Sequence, residues 1–468
     1  MTHNYDIAII GAGSGGLSVA SGAAQLGLKT VLFEADRMGG DCLNVGCVPS
    51  KSIIAAGHAA HIARTSDKLG VTAEPTIDFA RSMQHVHDVI ASIAPHDSAE
   101  RFQGLGAHVV QQRARFTGPA TLDAGGETYT ARRIVIATGS RPMIFPIPGL
   151  AETPYLTNET IWDLKERPDH LIILGGGNIG IELAQAFRRL GSRVSIVERD
   201  IIMAKDDPDL VSVVRTALDE EGIVIHENAE VERIDGGAGR VALTLKDGAN
   251  VTGTHVLVAT GRRRNTDDLG LELAGIETER GAIRVDARLR TSNKKVFAIG
   301  DCREGPQFTH AAGYDGGIVI RNIVFRIPAK ASYDALPWVT FTDPELANVG
   351  MTERMARDRG MPGIQILQAA MADNDRAKAE DKPMGRIKIV LSKGKIVGCG
   401  IVGTSAGELI HPWSLAIAQG LKLSQMTGYI APYPTLGEIT KAGTNQYFTP
   451  KLFNDRVRWI VGLLKHLP

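Results

Sequence analysis

The most reactive side chains in the sequence are two cysteines five residues apart. Cys42 and Cys47 lie in GGDCLNVGCVPSK (residues 39–51), directly before a stretch with helical periodicity. A helix N-terminus stabilises a thiolate, and Lys51, four residues after Cys47, lies on the same helix face. The other two cysteines are isolated, so no zinc site, which needs a second close pair, is expected. The pair is predicted to be a redox dithiol.

A strand, a glycine-rich turn and an acid occur twice with the same spacing. Residues 5–16 (YDIAIIGAGSGG) and 169–180 (DHLIILGGGNIG) each run from an apolar stretch into G-x-G-x-x-G, and a glutamate follows 23 residues after the first glycine. Such glycines let a pyrophosphate approach the next helix, while the acid binds a ribose hydroxyl. Two dinucleotide-binding units are therefore predicted, one with Gly11, Gly13, Gly16 and Glu34, the other with Gly175, Gly177, Gly180 and Glu198.

Alternating strands and helices must hold these groups in place. The predicted elements are helices at 51–64 and 79–93, strands ending in A-T-G at 131–139 and 255–261, a linker at 146–154, and strands at 385–391 and 395–402. The change in pattern after residue 333 indicates a further domain. The predicted fold class is α/β, with two Rossmann-like dinucleotide-binding domains and a C-terminal α+β domain.

Composition excludes several classes of protein. Lys+Arg and Asp+Glu both number 52, so the formal net charge is zero, which argues against a basic nucleic-acid binder and an acidic disordered chain. Four cysteines in 468 residues indicate a reducing compartment. A strand-like run at residues 7–10 leaves no room for a signal peptide, and no apolar run is long enough to span a membrane. A cytoplasmic protein is expected.

These strings together resemble the two-cysteine pyridine nucleotide-disulfide oxidoreductases, which include dihydrolipoamide dehydrogenase, glutathione reductase and mercuric reductase. TSNKKVFAIGDC (residues 291–302) is similar to the second flavin-binding string of that family, and PWVTFTDPELANVGMTE (337–353) to the start of its dimerisation domain. The resemblance implies a homodimer with active sites shared between subunits. It also implies an FAD-binding domain at 1–150 and 281–333, an NAD(P)-binding domain at 151–280 and a dimerisation domain at 334–468.

The resemblance also implies where two cofactors bind. FAD would contact Gly11, Gly13, Gly16, Glu34, Gly40, Lys51, Thr138, Gly139 and Asp301. The nicotinamide nucleotide would contact Gly175, Gly177, Gly180, Glu198 and Gly261. Glu198 favours NADH, because a carboxylate accepts hydrogen bonds from a 2′-hydroxyl and repels a 2′-phosphate, while the adjacent Arg199 leaves NADPH open.

Electron transfer would run through the cysteine pair. By the resemblance, Cys47 is the thiolate beside the flavin, Cys42 is the thiol that meets substrate, and Lys51 pairs with Glu182 near the flavin. Cys302 and Cys399 are expected to be packed bystanders. The implied activity is that of an FAD-dependent NAD(P)H oxidoreductase whose acceptor is a disulfide, a persulfide or a metal ion.

The chain departs from its relatives in APYPTLGE (residues 431–438). Tyr433 stands where lipoamide and glutathione enzymes carry a histidine that, with a glutamate (Glu438 here), supplies acid–base catalysis from the partner subunit. A tyrosine with a pKa near 10 does not shuttle protons at neutral pH. Tyrosine here is similar to mercuric reductase, but the C-terminal cysteine pair of that enzyme is missing after Cys399.

The last 19 residues, 450–468, carry apolar residues at helical spacing among lysines and arginines. They are predicted to dock on their own domain in preference to lying on a membrane. Two alternative functions remain open. One is a dihydrolipoamide dehydrogenase that uses NAD and works with Tyr433, and the other is an electron-transfer subunit that serves a protein partner docked at this tail.

Overall fold

The computed structural model describes residues 2–237 and 239–467. Met1, Ala238 and Pro468, which fall within the predicted domains, lie outside the described residues. The chain forms two compact units. The first unit comprises Met1–Gly57, Thr76–Arg199 and Ala229–Ser332, and the second comprises His58–Pro75, Asp200–Asn228 and Tyr333–Pro468. The predicted domain boundaries remain predictions.

The first sheet of the first unit is built around the strand Thr2–Ile10. This strand pairs in parallel with Thr30–Phe33 and with Glu127–Ile136, and the register aligns Ile7 with both Thr30 and Arg133. Its apolar side chains alternate between two buried clusters, Ile7 and Ile9 in one, Ala8 and Ile10 in the other, as expected of a parallel strand covered on both faces. The other strands of this sheet are Ala107–Val110, Ala114–Gly118, Thr121–Ala124 and Val296–Ala298.

A second sheet in the first unit repeats this arrangement. The strand His170–Leu174 pairs in parallel with Arg193–Val197 and with His255–Val258. A separate antiparallel sheet consists of the strands Val231–Gly237, Arg240–Leu245 and Asn250–Gly253. The duplication in the sequence is thus a duplication of the fold. Two short pairs complete the unit: Ser140–Pro142 with Arg262–Arg264, and Thr278–Glu279 with Ala282–Ile283.

The predicted helices are confirmed. The prediction at 79–93 matches the helix Phe79–Ile93, and the prediction at 51–64 falls within Cys47–Thr65, which starts in the first unit and ends in the second. The remaining helices of the first unit are Ser14–Gln25, Gly40–Asn44, Ala99–Gly104, Asn178–Arg189 and Thr309–Ile323.

The second unit is an antiparallel sheet with helices. Its five strands, in spatial order, are Pro337–Thr340, Glu345–Gly350, Lys395–Gly403, Arg386–Ser392 and Ile364–Ala370, so both predicted strands are confirmed. The unit also contains the strand Val224–His226 and the helices Pro208–Glu220, Glu353–Asp358, Asp375–Ala379, Ala406–Leu409, His411–Gln419, Glu438–Leu452 and Asp455–Leu464. Cys399 is buried in its core, as predicted.

The C-terminal tail corrects one prediction. Its helix, Asp455–Leu464, exists, but none of its residues is buried, so the prediction that it docks on its own domain is wrong. The core of the second unit closes around Trp413, and the last side chain packed against that core is Phe448. The packed core of the domain therefore ends before the tail begins. In the part of the chain that the structure describes, no helix is both long and apolar enough to cross a membrane.

A buried lysine is the main polar feature inside the second unit. The side chain of Lys388 is 3% exposed, and its Nζ lies 2.9 Å from Asp207, 2.6 Å from Asp209 and 2.9 Å from Glu353. We expect Lys388→Met to lower the free energy of unfolding by about 3–5 kcal/mol, because it leaves the buried Asp207 without its cation. Thermal unfolding of the purified protein measures this.

The matched control is Lys246→Met. Lys246 pairs with Glu230 at 2.6 Å, but both side chains are more than half exposed, so the loss should be below about 1 kcal/mol. Equal losses in the two variants would contradict the structural role of the buried cluster.

Candidate active site

The two predicted redox cysteines lie on consecutive helices of the first unit. Cys42 is in the helix Gly40–Asn44, and Cys47 is the first residue of Cys47–Thr65. The chain doubles back tightly between them, since a Cβ on Gly46 would lie 2.9 Å from the Asp41 carbonyl oxygen. Both cysteines are free thiols, and their side chains are hydrogen bonded to each other. The structure therefore brings the predicted pair together.

The pKa values of the two thiols are shifted in opposite directions. The hydrogen bond from Cys42 is the largest influence on Cys47 and lowers the Cys47 pKa to about 6, helped by Thr309 and Lys51 and opposed by partial burial and Glu182. The same hydrogen bond, together with burial, raises the pKa of Cys42 far above its ordinary value. At neutral pH, Cys47 is thus the thiolate and Cys42 keeps the proton.

Thr309 contacts the thiolate, a contact that no motif in the sequence predicted. Its Oγ1 lies 3.3 Å from the Cys47 sulfur, at the first residue of the helix Thr309–Ile323. A buried ion pair anchors this helix: Arg303 Nη2 lies 2.5 Å from Asp315 Oδ2, which also accepts a bond from the Gly300 N–H at 3.1 Å. The only signal in the sequence was the position of Thr309 in a string close to the second flavin-binding motif.

The predicted lysine–glutamate pair is present. Lys51 Nζ lies 2.7 Å from Glu182 Oε2, and the glutamate side chain is almost completely buried. The two residues lie on the helices Cys47–Thr65 and Asn178–Arg189, which approach closely because a Cβ on Gly57 would lie only 3.1 Å from the Ala186 carbonyl oxygen. This pair places a cation near Cys47 and compensates the buried carboxylate.

The first glycine of each repeated motif is fixed by the backbone. Gly11 has φ +103° and Gly175 has φ +108°, a region that other residues rarely adopt. A Cβ would lie 2.4 Å from the Ala137 carbonyl oxygen in one copy and 2.5 Å from that of Ala259 in the other. Both contacts involve the alanine of an A-T-G turn, so each A-T-G turn packs on the glycine loop of its own copy of the motif.

The second and third glycines have different roles. A Cβ on Gly16 or Gly180 would lie 1.8 or 2.1 Å from the carbonyl oxygen of the first glycine of the same motif. At Gly13 the nearest atom would be 3.9 Å away, and at Gly177 nothing lies within 4 Å. Space at the second glycine, which a Cβ would fill, fits close approach of a pyrophosphate.

The rest of each loop also fits a dinucleotide. Gly13 and Gly177 cap helices without a side-chain cap or an acid in the first turn, so these helix N-termini suit a phosphate. Glu34 accepts a bond from the Ala12 N–H at 2.7 Å. In the second copy of the motif, Glu198 accepts a bond from the Gly176 N–H at 2.6 Å. Each acid is thereby held beside its glycine turn, where a ribose would lie.

The dithiol loop packs directly on the first glycine turn. The Gly39 N–H donates to the Ala12 carbonyl oxygen at 2.9 Å. Gly40 has φ +58°, and a Cβ there would lie 2.7 Å from the Cα of Gly13. This approach requires glycine, and it sets the cysteines next to the turn that is predicted to bind FAD.

The two A-T-G turns lie side by side. The Thr138 hydroxyl donates to the Asn265 carbonyl oxygen at 2.6 Å, and the Gly139 carbonyl oxygen accepts from the Asn265 N–H at 3.0 Å. In the other turn, the Gly261 carbonyl oxygen accepts from the Met143 N–H at 2.9 Å. These predicted cofactor contacts are thus parts of one connected region of the first unit.

Arg262 is a further residue of the site that the sequence did not indicate. Its guanidinium contacts Asp41, the neighbour of Cys42, and its Nε donates to the Ser140 hydroxyl at 2.7 Å. Ser140 in turn donates to Asp301, the predicted flavin contact, at 2.6 Å. Its only signal in the sequence is its position directly after the second A-T-G turn.

Tyr433 and Glu438 lie in the second unit of the chain, whereas the dithiol lies in the first. Tyr433 is 72% exposed, and its hydroxyl donates to Asp375 at 3.2 Å, which raises the pKa of the phenol further. Glu438 begins the helix Glu438–Leu452 and accepts from the Thr435 N–H at 3.3 Å.

The two other cysteines do not take part in this site. Cys302 is completely buried and donates to the Ile299 carbonyl oxygen, and burial raises its pKa to about 11. Burial also raises the pKa of Cys399. Among residues 2–237 and 239–467, no group of three or more His, Cys, Asp or Glu side chains could hold a metal ion.

Comparison with known proteins gives consistent matches. The family described as pyridine nucleotide-disulphide oxidoreductase matches residues 5–316, and its dimerisation domain matches 336–443. The chain is 37% identical to a dihydrolipoyl dehydrogenase of Bacillus subtilis (93% of this chain, 94% of that protein) and 35% identical to a mercuric reductase of Streptomyces lividans (95% and 96%). A Cu(II) complex of the flavoprotein disulfide reductase RclA from Escherichia coli is similar in structure, with TM-score 0.85, 29% identity and coverage of 95% and 99%.

The acidity of Cys47 predicts a pH profile. Only the thiolate is alkylated quickly, so the rate of Cys47 alkylation by iodoacetamide should rise with pH and reach half its maximum near pH 6. Thr309→Val removes a hydrogen bond to the thiolate and should move this midpoint upward by about one pH unit. Mass spectrometry of the anaerobically reduced protein follows the reaction, with Cys47→Ser as control. A midpoint near the ordinary thiol value would contradict the assignment.

The glycine geometry predicts two different defects. Gly180→Ala should lower stability by about 1–3 kcal/mol, because its methyl group meets the Gly175 carbonyl oxygen. Gly177→Ala has room for its methyl group, so the thermal midpoint should stay unchanged while the KM for NADH rises. Thermal unfolding and steady-state kinetics separate the two effects, and an unchanged KM in folded Gly177→Ala would argue against the predicted site.

Proposed function

Because the chain belongs to the pyridine nucleotide-disulphide oxidoreductase family, we propose that it uses NADH to reduce a thiophilic metal ion at the Cys42–Cys47 pair. The chain is an oxidoreductase of a family that uses FAD with NADH or NADPH. The observation that supports this acceptor is the environment of Tyr433, whose hydroxyl is bound to Asp375 and whose pKa is raised. This residue offers no proton transfer near neutral pH, so an acceptor that needs none is favoured.

The residues of the first unit would hold both cofactors. When bound, FAD would supply the hydride and electron-pair chemistry that links the nicotinamide nucleotide to the cysteine sulfurs. The turn at Gly13 and the acid Glu34 would hold FAD, and Gly177 and Glu198 would hold the nicotinamide nucleotide. Lys51 supplies positive charge beside Cys47, while Glu182 fixes the position of its Nζ.

The difference in pKa between the two cysteines suits a soft metal ion as the acceptor. Cys47 holds negative charge at neutral pH, and Cys42 holds the proton until an acceptor displaces it. Soft divalent ions bind thiolates strongly, and coordination releases the thiol proton directly, so no separate base is required. A relative named mercuric reductase and a similar structure solved as a Cu(II) complex agree with this class of acceptor.

The proposed active site is shared between subunits. The match to the dimerisation domain indicates a homodimer, and it includes Tyr433 and Glu438. Tyr433 and the neighbouring Ile430, which is 94% exposed, leave an apolar surface that a partner would cover. We propose that Tyr433 and Glu438 of one subunit complete the dithiol site of the other. The proposed location is the cytoplasm, supported by the scarcity of cysteine.

NADH is the proposed reductant. Glu198 is held beside the second glycine turn by the Gly176 N–H, where its carboxylate can accept from a ribose 2′-hydroxyl and repel a 2′-phosphate. Arg199 follows it in the chain, so NADPH is the alternative to compare.

A second candidate function is that of a dihydrolipoamide dehydrogenase using NAD. The observation that favours it is the 37% identity to a protein of that name over nearly the full length of both chains. The two candidates differ in their need for a proton shuttle, which makes Tyr433 the residue that distinguishes them.

Anaerobic titration with NADH tests the dithiol step, and acceptor assays test the substrate. We expect a long-wavelength charge-transfer band from the Cys47 thiolate that is absent in Cys47→Ser. NADH oxidation should then be faster with Hg²⁺ or Cu²⁺ than with lipoamide or oxidised glutathione. Absence of the band would refute the dithiol mechanism, and faster turnover of lipoamide would favour the second candidate.

Replacing the tyrosine should change the acceptor preference. Tyr433→His introduces a group that titrates near neutral pH, so turnover of lipoamide should rise by about a hundredfold, the lower end of the usual range for general acid–base catalysis. Tyr433→Phe is the matched control, because it removes the hydroxyl without adding a base. If Tyr433→Phe abolished lipoamide turnover that the wild type performs well, the phenol itself would be the proton donor.

A further inference from the structure

The C-terminal tail, defined as residues 451–467, is an apolar helix without cover on its own domain. Asn454 caps its helix by accepting from the Val457 N–H at 3.0 Å, and no residue of Asp455–Leu464 is buried. Phe453 is 71% exposed and Trp459 66% exposed. The family's dimerisation domain matches residues 336–443 and ends before the tail.

The tail helix has a broad apolar side and a narrower polar one. Trp459 and Leu463 are four residues apart and so lie on one side of the helix Asp455–Leu464. The other exposed apolar residues of the tail are Leu452, Phe453, Ile460, Val461, Leu464 and Leu467. Arg458 and Lys465, seven residues apart, lie on the polar side next to Asp455, while Arg456 lies among the apolar residues.

The positive charge of the tail indicates a negatively charged partner. It carries four lysines and arginines, Lys451, Arg456, Arg458 and Lys465, against the single acid Asp455, within a chain whose formal net charge is zero. A second copy of the tail would bring like charges together, which disfavours self-association through this surface. A negatively charged surface with an apolar interior can bind the basic side chains and bury the apolar ones at the same time.

We propose that the tail helix binds the surface of membranes that contain anionic phospholipids. The apolar side chains enter the boundary between headgroups and acyl chains, with Trp459 at the level of the headgroups, and the basic side chains contact lipid phosphates. The helix of ten residues lies in the plane of the surface and does not cross the membrane. This inference is independent of the acceptor that the enzyme reduces.

Co-sedimentation of the full-length, FAD-loaded protein with vesicles tests the proposal. We expect binding to vesicles of phosphatidylglycerol mixed with phosphatidylcholine, release at high salt, and no binding to phosphatidylcholine alone. Arg458→Gln combined with Lys465→Gln should weaken binding by about thirtyfold, since each basic residue near an anionic surface contributes roughly fivefold. Leu463→Glu should abolish binding.

The matched control is Leu273→Glu, which changes an equally exposed leucine of the first unit and should leave binding unchanged. NADH oxidation should be the same in all variants, which shows that they are folded. Absence of binding to the anionic vesicles, or equal binding to phosphatidylcholine alone, would overturn the proposal. So would a fall in the dimer mass of Leu463→Glu in light scattering, because the tail would then be covered by a second copy.

Discussion

The chemistry of the candidate active site depends on the hydrogen bond between Cys42 and Cys47. This bond divides the acidity of two identical side chains, so that one sulfur is a thiolate at neutral pH and the other keeps its proton. Thr309 and Lys51 strengthen this division from two different helices. Each of these helices contributes to an ion pair. Arg303–Asp315 is buried, whereas in Lys51–Glu182 the carboxylate is buried and the lysine is partly exposed.

Close backbone contacts hold the dithiol where a cofactor can reach it. Gly40 lies against Gly13, and each A-T-G turn lies against the first glycine of its own motif. In both copies of the fold the first and third glycines are required by contacts within the chain, whereas the second leaves space. The duplication thus provides two turns with space for a phosphate, and the dithiol loop packs on the first of them.

The second unit has a charged cluster in its interior and exposed apolar side chains on its surface. Inside, Lys388 is surrounded by three carboxylates. Outside, the segment around Ile430 and Tyr433 and the tail helix leave apolar side chains in contact with solvent. Since burial of apolar surface is the dominant favourable contribution to association, these two surfaces are where a partner subunit and a membrane would gain most.

The sequence by itself determined the duplicated units and the dithiol, because these depend on local spacing and on motifs with a strict geometry, while the pairing of Lys51 with Glu182 came from the family resemblance. It also predicted the helix Phe79–Ile93 and two strands of the second unit from their sequence patterns. The contacts of Thr309 and Arg262, and the exposure of the tail, were decided only by the tertiary structure. They join residues up to 262 positions apart or depend on whether a core is already complete, and neither is encoded in a local pattern.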